Sequence, residues 1–441
     1  MDRGDSEDTL IQEVRFFLQR YFFTKKPLLL GYSGGPDSKA LLYVLHQLQK
    51  EMDFSLLVAH IDHGWRVESG EEAAFLRKEV EGLGLPFFEK KIQKIFSSNL
   101  EERCRLERHV FFEDLCKKYG CEAVLLAHQK EDVMETVLKR FLEGAHFAFQ
   151  GMSEISEIGG LVIWRPLLSV PKKELEGWLN RKNLSYFQDR TNEENRFLRS
   201  RMRNEIFPYL ERTFAKNIRE NLYHTSVRAK ELQKYLDRKV ASWFLTEEKG
   251  PLGSFFDLSS FVTAELVEKK HFFKSLFHRE EIEVSRDVIE KLSRFLERMD
   301  RPLHEELKGC QVYIDRGFLF LCRKSFPLWE EVSLEEGTFV SGGWNISVTS
   351  SDDNVTCSWL DIWKGKVAFS LPEGKFILRI AKSGERIGKK RLGRYWQEHR
   401  VPFFFRFSLP VVCQGDEVYS ELLCGNKPTH IPKWNVTLML L

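Results

Sequence analysis

The segment that most restricts what this chain can fold into is LLLGYSGGPDSKALLYVL, residues 28–45. It reads as a buried strand, then Ser33-Gly34-Gly35-Pro36-Asp37-Ser38, then an apolar-periodic helix. Glycines let the backbone come close to a ligand. Ser38 and the free N–H groups of the new helix face whatever sits above the strand end, where the helix dipole favours an anion. Phosphate is the natural guest. The spacing is neither that of a Walker A loop, G-x-x-x-x-G-K-[ST], nor that of a dinucleotide loop, G-x-G-x-x-G, and a plain glycine-rich turn would share its local features.

Around this turn the pattern alternates. Apolar strands at 28–32, 54–60 and 122–127, with a further candidate at 86–89, are separated by helical stretches near 38–50, 69–83, 100–119 and 131–142. Such alternation predicts an α/β, Rossmann-like parallel sheet with helices on both faces, and ligands in such sheets sit at the carboxyl ends of the strands. A chain of 441 residues has room for two to four domains. Near 213 the pattern changes to long charged helices, and from about 329 it turns β-like, as in WNISVTS and VAFSLPEGKFILRI. The expected division is therefore 1–212, an α/β catalytic domain; 213–328, a mainly helical domain; and 329–441, a small α+β domain.

Composition excludes disorder, since 42% of residues are hydrophobic and 30% charged. The net charge of +2 conceals basic runs at 196–203 and 386–400. Eight cysteines lie at 104, 116, 121, 310, 322, 357, 413 and 424 with no C-x-x-C pair, a usage that suits a reducing compartment. No basic-then-apolar leader opens the chain and no run of about 18 apolar residues occurs, so the expected location is cytoplasmic.

The loop at 33–38 resembles the S-G-G-x-D-S loop of the PP-loop ATP pyrophosphatases. Further motifs resemble those of the tRNA(Ile)-lysidine synthases within that superfamily. His60-Ile61-Asp62-His63-Gly64-Trp65-Arg66 is similar to H-V-D-H-G-L-R, and NLEERCRLERHVFF at 99–112 to N-L-E-x-x-A-R-x-x-R-Y through Glu101, Arg105 and Arg108. LLAHQKEDVMETVLKRFLEG at 125–144 is similar to A-H-H-x-D-D-Q-x-E-T through His128, Asp132, Glu135 and Thr136. Gln129, Glu131 and Val133 depart from that pattern, and the glycine-rich turn that follows it is degraded to GAHFAFQ. Arg165-Pro166-Leu167-Leu168 matches R-P-L-L. The stretch FQDRTNEENRFLRSRMRNEIFPYL matches through Asp189, Thr191, Asn192, Arg199, Arg203 and Pro208, with Ser200 in place of Asn. Residues 384–418 resemble the C-terminal lysidine-synthase module.

The resemblance implies an ATP-dependent carbon–nitrogen ligase. The wobble cytidine of the CAU-anticodon isoleucine tRNA attacks the α-phosphorus of ATP through O2, and pyrophosphate leaves on the loop. The ε-amine of free lysine then displaces AMP at C2. The product, lysidine, changes codon reading from AUG to AUA. The cofactors implied are ATP and Mg²⁺, with lysine as co-substrate. ATP would be bound by Ser33, Gly34, Gly35, Pro36, Asp37, Ser38, His60 and Asp62, and catalysis carried by Asp37, Asp132 and Arg105. Lysine or tRNA would be held by His128, Glu135, Arg199, Arg203, Lys389, Lys390, Arg391 and Arg394.

From the residues themselves, Asp132 and Glu135 share one helix face, which suits a metal (Asp37 and Asp132 being the Mg²⁺ candidates) or a substrate ammonium; two solvated acids would have the same spacing. The basic run at 386–400, interleaved with Tyr395 and Trp396, suits RNA phosphates and bases, or a solvated face. The other enzyme reading is a PP-loop tRNA thiolase, and the other class is a non-catalytic RNA-binding protein. The oligomeric state is left open, with a homodimer as one option.

Overall fold

The structure, a computed structural model, describes residues 5–62, 69–92, 100–144, 148–186, 198–261, 263–298, 301–323, 329–341, 343–353, 355–406, 410–424 and 431–440, with backbone only at 5–8, 69, 100–102, 148, 260 and 440. It divides into two compact units, Met1–Leu232 and Gln233–Leu441.

The first unit opens with α1 (Asp5–Tyr21) and β1 (Leu28–Gly31), followed by α2 (Pro36–Met52), β2 (Leu56–Asp62), α3 (Ser69–Gly82) and β3 (Phe87–Lys91). It continues with α4 (Leu100–Tyr119), β4 (Ala123–Leu125), α5 (Lys130–Leu142), and the hairpin β5 (Ile155–Ile158) and β6 (Leu161–Trp164). Then come α6 (Lys172–Arg181), α7 (Leu198–Arg201), a π-helical turn at Met202–Ile206, α8 (Phe207–Phe214) and α9 (Ile218–Phe244), within which the division falls. The sheet order is β3-β2-β1-β4-β6-β5, parallel except for the β5 edge.

β1 and β4 are continuous apolar runs and β2 is buried along its whole length, apolar until His60 and Asp62 at its carboxyl end, as a sheet covered by helices on both faces requires. Leu10, Val14, Leu28, Leu41, Leu45 and Leu48 form one face's core, and Leu29, Phe112, Leu115 and Val124 the other's. Each such fully buried leucine contributes about 1.5–3 kcal/mol. From β1 the chain builds outward to β2 and β3, then returns to place β4 on β1's other side. The strand order thus reverses between β1 and β4, and the crevice at their carboxyl ends is where such a sheet receives a ligand.

In the second unit, β7 (Glu247–Gly250), β8 (Gly253–Asp257), α10 (Leu266–Arg279), α11 (Arg286–Phe295), β9 (Leu303–Leu307), β10 (Cys310–Asp315) and β11 (Phe318–Cys322) come first. The helices at 213–328 are therefore joined by a five-stranded antiparallel sheet, order β7-β8-β11-β10-β9. Its centre is the aromatic pairing of GSFFD with FLFLC, Phe255 opposite Phe320. Two four-stranded antiparallel sheets follow. One joins β12 (Val332–Leu334), β16 (Phe376–Ile380), β19 (Pro410–Gln414) and β20 (Glu417–Glu421); the other joins β13 (Gly337–Ser341), β14 (Trp344–Ser350), β21 (Trp434–Leu440) and β15 (Lys366–Leu371). α12 (Trp359–Trp363), the short hairpin β17 (Arg386–Ile387) with β18 (Lys390–Arg391), and α13 (Leu392–Glu398) complete it. Phe255, Phe320, Trp363 and Phe405 lie in one continuous core.

Candidate active site

At the β1–α2 turn Gly34 has φ +82°, and a Cβ there would lie 2.9 Å from Leu76, so neither conformation nor space admits a side chain. Gly35 caps α2 and Pro36 opens it, leaving the first N–H groups of the helix pointing past the strand end. The Ser38 hydroxyl accepts from the Ser33 N–H at 3.2 Å, donates to the Gly35 carbonyl at 3.1 Å and lies 3.0 Å from the Ser33 hydroxyl. The loop is thus folded around its own serines. Asp37 projects from the first turn with Oδ1 buried and without a hydrogen-bond partner, and burial pushes its carboxyl up to about 6.

Behind the loop, the His60 ring lies 2.9 Å through Nδ1 from the Tyr32 carbonyl oxygen and stacks on Phe87, and Asp62 is buried at the same strand end. His60 therefore spends one nitrogen holding the end of β2 to the residue before the loop.

Across the switch point, β4 leads to His128 and to α5, whose N-cap is Gln129. The Gln129 Oε1 accepts from the Glu131 N–H at 2.7 Å, while Asp132 Oδ2 accepts from the Gln129 N–H at 3.0 Å. This reciprocal cap fixes Asp132 on the helix's first turn. Arg203, on the π-helical turn, donates to Asp132 Oδ1 at 3.2 Å and to Glu135 Oε2 at 3.1 Å, with a second short bond from Nε to Glu135 Oε1. Burial raises the Glu135 carboxyl although Arg203 opposes it. Arg165 donates through Nε to His128 Nδ1 at 3.2 Å and is itself held by Ser153 and Ser156. Burial, with Arg165, Arg199 and Arg108 adding to it against Asp132, pushes the His128 imidazole down to about 4, so it is neutral near pH 7.

The charges around Asp37 come from Lys172, Asp132, Arg203 and Glu131, and three of these, Lys172, Arg203 and Glu131, also wall a cavity of about 210 Å³ together with Glu135, Phe207 and Arg219. That volume lies below the roughly 300–1,000 Å³ of drug-sized pockets. Its wall carries both signs: carboxylates that can take an ammonium and cations that can take a carboxylate.

Burial together with Arg105 and Arg199 lowers the Arg108 guanidinium, so these three cations from α4 and α7 share one neighbourhood. Arg105 is exposed. The fold thus brings Ser33–Ser38, His60, Asp62, Arg105, His128, Asp132, Glu135, Arg199 and Arg203 into one unit. It adds residues to which the sequence assigned no role. Gln129 is the cap and Arg165 the partner of His128. Glu131 accepts from the Lys172 N–H at 3.1 Å, and Val133 sits 2.8 Å from where a Gly151 Cβ would be. The Arg165-Pro166-Leu167-Leu168 motif was the one signal that could have found Arg165.

A PP-loop domain family matches residues 7–210. The chain is 34% identical over 425 residues to the tRNA(Ile)-lysidine synthase of Protochlamydia amoebophila (strain UWE25), covering 94% of this chain and 93% of that protein. The chain belongs to the tRNA(Ile)-lysidine synthase family. A Chlamydia felis member is 33% identical over 300 residues, 67% of this chain and 93% of its own. Among solved structures, the U34-tRNA thiolase NcsA from Methanococcus maripaludis is similar at a TM-score of 0.42 and 18% identity, over 51% of this chain and 79% of that one.

Within this lysidine-synthase family member, the other candidates lie in the second unit. Lys389, Lys390, Arg391 and Arg394 are exposed on and beside the β17–β18 hairpin and α13. Lys390 and Arg394 both pair with Glu398, at 2.6 and 3.2 Å. Trp396 is buried, donating to Glu421 at 2.8 Å, so it belongs to the core and not to a stacking surface. His63, Gly64, Trp65, Arg66, the Glu101 side chain, Asp189, Thr191 and Asn192 lie outside the described residues. Among the described residues no helix is long and apolar enough to cross a membrane.

Proposed function

We propose that this chain ligates lysine to C2 of the wobble cytidine of the CAU-anticodon isoleucine tRNA through an adenylated intermediate. The observation that carries the reading is the placement of two chemically different turns side by side at the β1/β4 switch point. One is a serine- and glycine-lined helix N-terminus fit for the pyrophosphate of ATP; the other leads to a small mixed-charge cavity fit for an amino acid.

In this reading the backbone N–H groups and Ser33 and Ser38 take the departing pyrophosphate, while Arg105, Arg108 and Arg199 balance phosphate charge on the other side. Mg²⁺ fits the donor set at Asp37, whose buried Oδ1 lacks a partner, with Asp132 beside it, and when bound it neutralises charge on the phosphates. Free lysine occupies the cavity. Glu131 and Glu135 face its ammonium groups, and Lys172 and Arg219 its carboxylate. The ε-ammonium must lose a proton before it attacks. Asp37 and Asp132 are the candidate carboxylates to receive it, whichever of the two is not holding Mg²⁺. Neutral His128, held by Arg165, is an uncharged neighbour for the base or the nucleotide. Positioning three reactants supplies much of the rate.

We assign this chemistry to residues 1–212, and tRNA grip to 213–328 and 329–441, with the exposed cations at 389–394 on phosphates of the acceptor arm. Incubation with bulk tRNA, ATP and labelled lysine, followed by nucleoside analysis, is the test. Label in a lysine-modified cytidine is expected. ATP cleavage to AMP with no lysine in the tRNA would contradict the reading.

A further inference from the structure

A buried polar cluster lies directly beneath the phosphate loop. Lys39, the residue after Ser38, is almost fully buried and pairs with Glu79 of α3 at 2.5 Å. The same carboxylate accepts from the Tyr32 hydroxyl at 2.7 Å through its other oxygen and from the Tyr43 hydroxyl at 3.0 Å. Tyr32 is the residue before Ser33. One carboxylate on α3 therefore holds both ends of the six-residue loop: Tyr32 at the strand exit, Lys39 at the helix entry. One turn earlier on α3, Leu76 is the side chain against which Gly34 is packed.

Buried ion pairs contribute little net stability, because desolvating both charges offsets their attraction; replacing such a pair by apolar groups is often neutral. Three donors converging on one carboxylate at this place fix a geometry instead. Burial, with Glu79 adding to it, raises the Tyr32 phenol, and burial pushes that of Tyr43 up to about 12, so both remain protonated donors at any working pH. The Tyr32 carbonyl also faces His60 Nδ1 at 2.9 Å, and its N–H donates to the Ala59 carbonyl at 2.8 Å. Tyr32 is thus pinned through backbone and side chain alike, and the loop begins from a fixed point.

We infer that Glu79 is a positioning residue for ATP, a clamp that holds Tyr32 and Lys39 so that Ser33–Ser38 present their N–H and hydroxyl groups in the arrangement the phosphates need. The inference rests on the reading of that loop as an ATP site. It departs from the motif itself: neither Glu79 nor Lys39 lies in the S-G-G-x-D-S signature, and α3 becomes part of the nucleotide site without touching the nucleotide.

The test uses the full chain with Tyr32→Phe and the double variant Lys39→Met/Glu79→Gln, comparing ATP and lysine dependence of the tRNA reaction and direct ATP binding. Tyr32→Phe removes one hydroxyl and leaves the ion pair intact. The double variant removes both buried charges, so neither is left unpaired. The KM and Kd for ATP are expected to rise in both, by about three- to tenfold for the single hydroxyl, the range of one net hydrogen bond. The rise should be larger in the double variant, and the KM for lysine unchanged. Wild-type ATP affinity in both variants would show the cluster to be packing only and overturn the inference. Wild-type protein that neither bound ATP nor exchanged pyrophosphate would overturn the reading of the loop and the inference with it.

Discussion

Among single residues, Asp37 is the pivot of the proposed chemistry, since it lies in the phosphate loop and feels the charges of the cavity wall. Asp37→Asn and Ser38→Ala are expected to cut ATP–pyrophosphate exchange by about 10²–10³-fold, the cost of losing one preorganised charge or donor, while the chain stays folded. Near-normal exchange in both would remove these residues from the chemistry. The titration of Asp37 gives a second prediction. Burial raises its folded value to about 6, above the unfolded value near 4, so between those pH values the folded chain binds the proton that the unfolded chain releases. For this group the contribution to stability is greatest at acid pH and falls as pH rises through 6. Activity needs the ionised form and runs the other way. With Mg²⁺ held at Asp37 the ionised form is favoured, so a rate limb below pH 6 that moves with Mg²⁺ concentration and is abolished in Asp37→Asn is expected; an unchanged limb would assign it elsewhere.

Among the elements, α5 shows what could and could not be read from sequence. Asp132 and Glu135 were legible because their three-residue spacing is local and their helix follows a strand, and His128 through the resemblance of its motif. Gln129 was not, because its function as a cap depends on the backbone conformation at the β4–α5 junction, which no residue type dictates. Nor was Glu79, whose partners lie about 40 positions away in sequence and meet it only when α3 packs on α2. The five-stranded sheet at 247–322 was hidden for a related reason: its strands are short and lie among charged helices, so local pattern favoured helix there. Because the Gln129 side chain accepts from the Glu131 N–H at the helix start and also lines the cavity, Gln129→Ala is expected to cost on the order of 1 kcal/mol, read from chemical denaturation, and to raise the KM for lysine, while the backbone bond to Asp132 is retained. An unchanged denaturation midpoint would show that the cap is dispensable.

In the proposed reading, labour in the molecule as a whole divides between a first unit that does the chemistry and a second that grips tRNA through exposed cations. Replacing Lys389, Lys390, Arg391 and Arg394 by Ala is expected to weaken tRNA binding and to flatten the slope of log affinity against log salt by up to about 0.9 for each phosphate no longer neutralised. ATP affinity should not change. Because Lys390 and Arg394 already share Glu398, the flattening should come chiefly from Lys389 and Arg391. An unaltered slope would make this face a solvated surface. In the proposed mechanism, adenylation of tRNA followed by displacement of AMP by lysine is the sequence on which everything else depends, and omitting lysine isolates its first half. With ATP labelled at the α-phosphate and CAU-anticodon isoleucine tRNA, the label should become attached to the tRNA and pyrophosphate should be released. Adding lysine should then discharge the label as AMP in step with lysine incorporation. Tritium- or carbon-labelled lysine entering the tRNA with no labelled tRNA ever formed in its absence, or a labelled tRNA that lysine does not discharge, would contradict an adenylated intermediate.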